Sequence, residues 1–369
     1  MFSLRRRLRL GLVLLALLLM VANACVSSVE PRDVATGATP DPTATPAPIT
    51  FPVDDQGYDS RLEWWYYSGH LKSESSKPFG FHFVVFESDD GIGDQNRVAQ
   101  LGILDVETGD HYEMSKVWAV IDTSNDLPLL DRAPPWFLFT GDQPGFSGFS
   151  INGEALGLSL DLEATTPVML HNEIGWLPTE AGATYYYSWP RQDAVGELTL
   201  NGETFNVTGT SWFDHQWGDF FVLGKPAGWQ WFAIQLDDGG SLMITESRGI
   251  DGEIAETYGT YMSPEGEARS LKSDTDGITL TETGEWISPA TGATYPSGWG
   301  IEIESLALDI IVDPVADDQE VQGGLAAGST YWEGQSMVGG TQDGQAISGS
   351  AYVELSGYVD PEPIEWMHR

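Results

Sequence analysis

The stretch Phe79-Gly80-Phe81-His82-Phe83-Val84-Val85-Phe86-Glu87 decides the fold class. In an extended chain side chains alternate between two faces, so Phe79, Phe81, Phe83 and Val85 share one side. A helix would scatter them. The reading extends outward through further strand pairs. Glu197 to Leu200 and Glu203 to Val207 flank Asn201-Gly202, a pair that supplies the positive φ angles of a tight hairpin turn. Asn152-Gly153 stands likewise between Phe149-Ser150-Ile151 and Ala155 to Leu162, and Asp237-Asp238-Gly239-Gly240 between Trp229 to Leu236 and Ser241 to Glu246. Gly340 to Gly349 reads as a turn region before a last strand, Ala351 to Leu355.

Composition agrees. The chain carries 14 Trp, 13 Tyr, 15 Phe and 42 Gly, and helix-forming runs are scarce beyond residue 24. Aromatic-rich, Gly-punctuated short strands imply an all-β chain, a sandwich or barrel. Residues 218–228, with Gly224-Lys225-Pro226-Ala227-Gly228, separate two halves that each open on a Trp-rich strand (Glu63-Trp64-Trp65-Tyr66-Tyr67; Trp229-Gln230-Trp231-Phe232). Each half also has a late aromatic and acidic cluster, Ser211-Trp212-Phe213-Asp214-His215 and Thr330-Tyr331-Trp332-Glu333-Gly334. The expected domains are 58–222 and 223–369.

The first 24 residues stand apart. Arg5, Arg6, Arg7 and Arg9 precede an apolar run from Leu10 to Val21, then small residues and Cys25. This is a secretory signal pattern, and the run is short for a span of about 20 apolar residues. Ala22-Asn23-Ala24-Cys25 is similar to a lipobox, which makes Cys25, the single cysteine, the expected lipid attachment site of a bacterial lipoprotein. One thiol allows no internal disulfide. Residues 25–57 are rich in Pro, Thr and Ala and read as a tether holding the body off a membrane.

With 55 acidic against 17 basic residues, the formal net charge is −38. Nucleic acid and anionic surfaces would repel such a chain. No Gly-rich phosphate loop and no Gly-x-Ser-x-Gly elbow occur. The six histidines show no paired metal-ligand spacing, and Asp89 to Asp94 does not match an EF-hand loop, so no metal or cofactor is expected.

Two clusters carry candidate chemistry. In Leu62 to Leu71, Glu63, Trp65 and Tyr67 share one face and Trp64, Tyr66, Ser68 and His70 the other. In Gly209 to Asp219, Phe213, His215 and Trp217 share a face, and Trp212, Asp214 and Gln216 the opposite one. A buried carboxylic acid is held protonated and can donate a proton. The same clusters equally describe an aromatic core layer and a buried polar network that fixes domain packing.

Together with Tyr186 to Arg191, Tyr295 to Trp299, Asp318-Gln319-Glu320, Tyr331 to Gly334 and Gly349 to Tyr358, these clusters resemble the carotenoid 1,2-hydratase and AttH-like family. That resemblance implies two tandem lipocalin-like antiparallel β-barrels. The carotenoid branch adds water to an isoprenoid double bond, and by resemblance His215 and Trp217 belong to its site. An acid following a Tyr further downstream in that branch has no Tyr-x-Asp counterpart in Leu242-Met243-Ile244-Thr245-Glu246, where Glu246 is the nearest substitute. The AttH branch is similar to an accessory of an ABC-type transport system.

Two functions are therefore expected. One is an exported, membrane-anchored lipoprotein, periplasmic or on the cell surface, binding a long apolar ligand such as an isoprenoid or lipid against Glu63, Trp65, Tyr67 and Tyr187. The other is a hydratase using Asp214 or Glu246 as acid, with His215 and Trp217. The catalytic reading requires one of these acids and His215 to open onto the same aromatic cavity.

Overall fold

The computed structural model describes residues 46–55, 57–58, 60–89, 95–120, 136–141, 143–179, 182–219, 228–249, 251–322 and 330–359. The signal pattern, Cys25 and most of the 25–57 segment lie outside the described residues.

The first sheet contains eleven strands. They are β1 (Leu62–Ser73), β2 (Pro78–Asp89), β3 (Gln95–Asp105), β4 (Asp110–Val120), β5 (Trp136–Thr140), β6 (Phe146–Ile151), β7 (Leu156–Ala164), β8 (Met169–Leu170), β9 (Trp176–Thr179), β10 (Gly182–Leu200) and β11 (Glu203–Asp219). Their order is β4-β3-β2-β1-β11-β10-β7-β6-β5, with β8 and β9 paired to β10. The second sheet and a small two-stranded ribbon take β12 (Gly228–Leu236), β13 (Ser241–Arg248), β14 (Ile254–Met262), β15 (Ala268–Lys272), β16 (Ile278–Glu282), β17 (Glu285–Ile287), β18 (Thr294–Pro296), β19 (Trp299–Ile303), β20 (Leu308–Pro314), β21 (Glu320–Val321), β22 (Tyr331–Gln342) and β23 (Gln345–Ser356). The order is β15-β14-β13-β12-β23-β22-β20-β19-β16, with β21 on β22, while β17 and β18 form the ribbon.

Every pairing is antiparallel. Each sheet curls into a near-closed barrel, so the fold is two lipocalin-like barrels in tandem. The two paths are equivalent, with the first strand of each beside its last. This matches β11 with β23 and β10 with β22. The partner of Asp214 is thus Glu354; the Tyr331 strand, matched to the Ser211 cluster on composition alone, corresponds to β10.

Alternation explains three cores. Inward residues Trp65, Tyr67, Phe79, Phe81, Phe83, Phe149, Tyr187 and Phe213 fill the first barrel with their rings. Phe232, Ile234, Leu242, Ile244, Trp299, Trp332 and Val353 fill the second. The outward face of β1, β2, β10 and β11 packs on the outward face of β12, β13 and β14 through Tyr66, Val84, Tyr186, Trp212, Trp231, Met243 and Met262. Both faces of these strands are therefore buried, and each large apolar side chain removed from water stabilises by about 1.5–3 kcal/mol. Arg191 bolts the barrels together by donating to the carbonyls of Leu236 (2.5 Å) and Gly240 (2.8 Å) and to Ser241 Oγ (3.1 Å). Gly69 is required for close approach, since a Cβ there would lie 2.2 Å from the Thr210 carbonyl oxygen.

The turns divide. Asn201 (φ 54°) and Gly202 (φ 80°) make the tight turn expected. Asn152-Gly153 instead sits in a wider connection between β6 and β7, with neither residue at positive φ. Gly153 is there because a side chain would strike the Leu156 carbonyl oxygen, 2.2 Å from its Cβ position. The turn region read from Gly340 to Gly349 is mostly strand. The reversal is Asp343-Gly344 alone (φ 50° and 71°), and the surrounding Gly and Gln had masked a long exposed hairpin.

Candidate active site at the mouth of the first barrel

Register brings the two motifs together. Glu63 pairs with Trp217, Trp65 with His215 and Tyr67 with Phe213 across β1 and β11, and Tyr187 of β10 stands opposite His215 on the other side. All seven point inward. His215 is layered between Trp65 (ring centroids 4.9 Å) and Trp217 (4.5 Å), and Tyr187 meets it edge-on at 5.5 Å. Five of the residues singled out from sequence, Glu63, Trp65, Tyr187, His215 and Trp217, therefore form one cluster. Tyr67 lies deeper, against Phe213, Phe83 and Phe149.

The protonation of this cluster follows from its partners. His215 Nδ1 faces the Asp54 carbonyl oxygen at 3.1 Å, which can only accept, so Nδ1 carries the proton. Nε2 then accepts, and its neighbour is Glu63 Oε1 at 2.8 Å. Burial pushes the Glu63 carboxyl well above the ordinary carboxylate range and holds the imidazole down to about 3. The short contact has the distance of an ion pair. Both shifts oppose charge separation in a site that is almost wholly buried. A neutral carboxylic acid donating to a neutral imidazole satisfies every group. Glu63 Oε2 accepts the Tyr58 backbone N–H at 2.8 Å.

Residues 46–55 and 57–58, in the stretch read as the end of a tether, lie over this cluster. Ile49, Phe51 and Tyr58 pack on the first core. Asp55 is buried and accepts from the Tyr187 hydroxyl. Burial raises its carboxyl to about 6 against the opposing pull of that hydrogen bond. The apolar side chains here are too widely spaced among Pro and Thr to register as a core segment in sequence.

Asp214 and Glu246 do not join His215. Adjacent residues on a strand face opposite ways, so Asp214 points between the barrels. It accepts from Ser188 Oγ (2.5 Å), the Trp212 indole (2.6 Å) and the Tyr186 hydroxyl. His171 Nε2 donates to Ser188 at 2.8 Å and its Nδ1 accepts from Thr260 of the second barrel at 2.9 Å. The Trp231 indole donates to the Tyr186 oxygen at 2.9 Å. Burial lifts Asp214 to about 7 while the three donors pull it down. With both oxygens accepting, from three donors, and a network that reaches both sheets, Asp214 is the polar clasp of the interface. Glu246 shares the inward face of β13 with Leu242 and Ile244, in the second barrel near Arg248 (4.0 Å). The expected convergence of Asp214 or Glu246 with His215 is thus replaced by Glu63 with His215.

The inter-barrel layer also holds acids that sequence reading passed over. Tyr66 donates to Glu333 Oε1 at 2.6 Å, while Oε2 has no partner among the described residues. Burial holds Glu333 well above the ordinary range and lifts Glu354 to about 7. Glu333 stood in the Tyr331-Trp332-Glu333-Gly334 cluster, but its facing depends on the second barrel packing against the first.

The fold and this site define a double-barrel β-protein with a neutral acid–imidazole pair inside its first barrel. The model of the AttH-like family matches residues 42–358, and the chain belongs to that family. Its structure is similar to a Nitrosomonas europaea protein provisionally assigned as AttH, with 29% identity, 86% of this chain and 99% of that chain covered, and a TM-score of 0.75. Kievitone hydratase from Nectria haematococca shares the fold at 17% identity, 85% and 94% coverage and a TM-score of 0.71. CghA shares it at 12% identity, 86% and 96% coverage and a TM-score of 0.50. No curated relative matches the sequence.

Proposed function

We propose that this protein is a hydratase-type enzyme that adds water to a carbon–carbon double bond of an apolar, isoprenoid-type substrate at the mouth of its first barrel. The observation that carries this reading is the buried Glu63 carboxyl, 2.8 Å from His215, in a cluster with Trp65, Trp217 and Tyr187. Membership of the AttH-like family and likeness in fold to a protein named kievitone hydratase support it.

The chemistry needs these residue types. Glu63 gives its proton to the less substituted alkene carbon. The π electron pair forms the new C–H bond and leaves a tertiary cation on the other carbon. The faces of Trp65, Trp217 and Tyr187 offset that charge, each cation–π contact by about 0.5–2 kcal/mol. Water adds through an oxygen lone pair, and its surplus proton passes to His215 Nε2 and back to the Glu63 carboxylate. No cofactor is consumed.

The test is incubation of the purified protein with linear carotenes and shorter isoprenoid alkenes, read by mass spectrometry. A gain of one water, lost in Glu63→Gln, establishes the reading. A bound apolar lipid with no turnover overturns it in favour of a carrier. We also propose that the N-terminal pattern directs export and acylation at Cys25; partition into a detergent phase, abolished by Cys25→Ser, is the expected result.

A further inference from the structure

We infer that residues 49–55, with Gly57 and Tyr58, are an internal plug seated in the ligand slots of the first barrel, and that the ligand displacing it carries a planar ring beside an oxygen acceptor. The inference rests on the reading of this mouth as the substrate site and adds the element that guards it and the chemistry of a ligand that displaces that element.

The plug fills slots as a ligand would. The Tyr58 ring lies flat on Trp217, centroids 4.8 Å apart and planes within 2°. Phe51 inserts edge-on against Tyr187 (4.8 Å) and Trp189 (5.4 Å). Two oxygen acceptors complete the set: the Asp55 carboxyl takes the Tyr187 hydroxyl, and the Asp54 carbonyl takes His215 Nδ1–H at 3.1 Å. When the plug leaves, the mouth presents the indole face that Tyr58 covered, beside a linked pair of donors: His215 Nδ1–H lies 3.3 Å from the Tyr187 oxygen and the Tyr187 O–H is left free to donate. A flat ring bearing a carbonyl or carboxylate replaces Tyr58, Asp54 and Asp55 group for group.

The segment is built to leave as a unit. Its 3-10 turn, Val53–Asp55, is braced internally by Asp54 N–H on the Thr50 carbonyl (2.9 Å) and Asp55 N–H on the Pro52 carbonyl (3.2 Å). Among the described residues, no strand ladder joins it to either sheet. Withdrawal therefore breaks side-chain contacts and single hydrogen bonds but no sheet pairing. The price is unmasking of Glu63, whose Oε2 holds the Tyr58 N–H, which is what a reaction at that carboxyl requires.

The experiment uses the full chain and 2-naphthoate, a planar ring with a carboxylate. Titration calorimetry compares the parent with Phe51→Ala/Tyr58→Ala. The loosened chain is expected to bind at least about tenfold more tightly, because the fraction of open mouth rises. An unchanged affinity in a variant with an unaltered thermal melt overturns the plug. Hydrogen exchange on the parent gives a second, variant-free arm. Saturating 2-naphthoate is expected to speed exchange at the Tyr58 amide while leaving the Trp65 and His215 amides alone. Unchanged or slower exchange at Tyr58 overturns it as well. Binding without turnover of any alkene would remove the hydratase reading and keep the plug; turnover dependent on Glu63 with no plug release would do the reverse.

Discussion

His215 Nε2 lies 2.8 Å from Glu63 Oε1 inside the first barrel, and the proton between them belongs to the carboxyl. Nδ1 donates to the Asp54 carbonyl, and burial, which opposes charge on both groups, leaves Nε2 as an acceptor. In Glu63→Gln the amide N–H₂ still donates to Nε2, so the fold is kept while the transferable proton is lost. Turnover is expected to fall by about 10²–10⁴-fold, the usual contribution of a general acid. Glu63→Ala additionally strands His215 Nε2 and the Tyr58 N–H, costing about 1–3 kcal/mol in a denaturant melt. A Gln variant of full activity would remove Glu63 from the chemistry.

The pH profile of turnover has a predicted sign. The active form is the protonated Glu63, whose folded-state pKa is raised well above the ordinary carboxylate value by burial. The rate is therefore full at mildly acidic pH and declines as pH rises through that elevated pKa. His215, held down to about 3, stays neutral throughout and contributes no acid limb in this range. For stability the sign is the same: a raised carboxyl favours the folded state below its unfolded pKa, and that contribution is lost as pH rises. A rate that instead climbs with pH would mark Glu63 as a base.

Asp214 is predicted to matter for stability and not for proton delivery. Its two oxygens take three donors, and Thr260 and Trp231 tie the network to the second barrel. Asp214→Ala leaves Tyr186, Ser188 and Trp212 donors buried and unpaired, at about 1–3 kcal/mol for each. Expected results are a lower denaturation midpoint and retained turnover per folded molecule. Loss of turnover in a fully stable Asp214→Asn would return the acid role to this residue.

How much of this was legible in the residues depends on the range of the cause. Alternation in Phe79 to Glu87 and the Asn201-Gly202 turn are local, and they specify strands directly. The inward grouping of Glu63, Trp65, His215 and Trp217 also follows from a period of two once β1 and β11 are neighbours. What alternation cannot supply is the environment of the opposite face. Asp214 reads as an acid for the His215 site because the second barrel that covers its face, through Trp231, Met243 and Met262, leaves no mark on the alternation of β11 itself. Glu333 and Glu354 were passed over for the same reason. The plug was illegible because Ile49, Phe51 and Asp55 gain meaning only from the barrel mouth that they fill.

In the inter-barrel layer, Tyr66 and Glu333 make a second measurable pair. Tyr66 donates to Oε1 of a carboxyl held neutral by burial. Tyr66→Phe removes the donor and leaves that oxygen bare, with an expected loss of about 1–3 kcal/mol. Glu333→Gln keeps a carbonyl oxygen for Tyr66 and costs less than the Phe change. Chemical denaturation of the two variants checks the order. The reverse order would mean that Glu333 is ionised in the folded protein.

Seating of the plug is predicted to depend on pH through Asp55. Its carboxyl is raised from 3.8 to about 6, chiefly by burial, so the seated state binds the proton more tightly than the released one. Seating is therefore strongest below the ordinary carboxylate pKa and weakens as pH rises to about 6, then stays level. The gap corresponds to about 3 kcal/mol, or on the order of 100-fold in the release equilibrium. The barrel groups facing Asp55 do not titrate in this window. Tyr187 of β10 and Tyr67 of β1 are held above the ordinary phenol range, His215 of β11 is neutral above about 3, and the Trp189 indole carries no charge. Asp54, beside it in the plug, adds a repulsion that raises Asp55 further. Exchange at the Tyr58 amide, corrected for intrinsic chemistry, should show release increasing with pH across that window and then levelling. Asp55→Asn, which cannot ionise, should flatten the dependence and hold the plug seated at neutral pH; a dependence that survives this change would trace release to a different group.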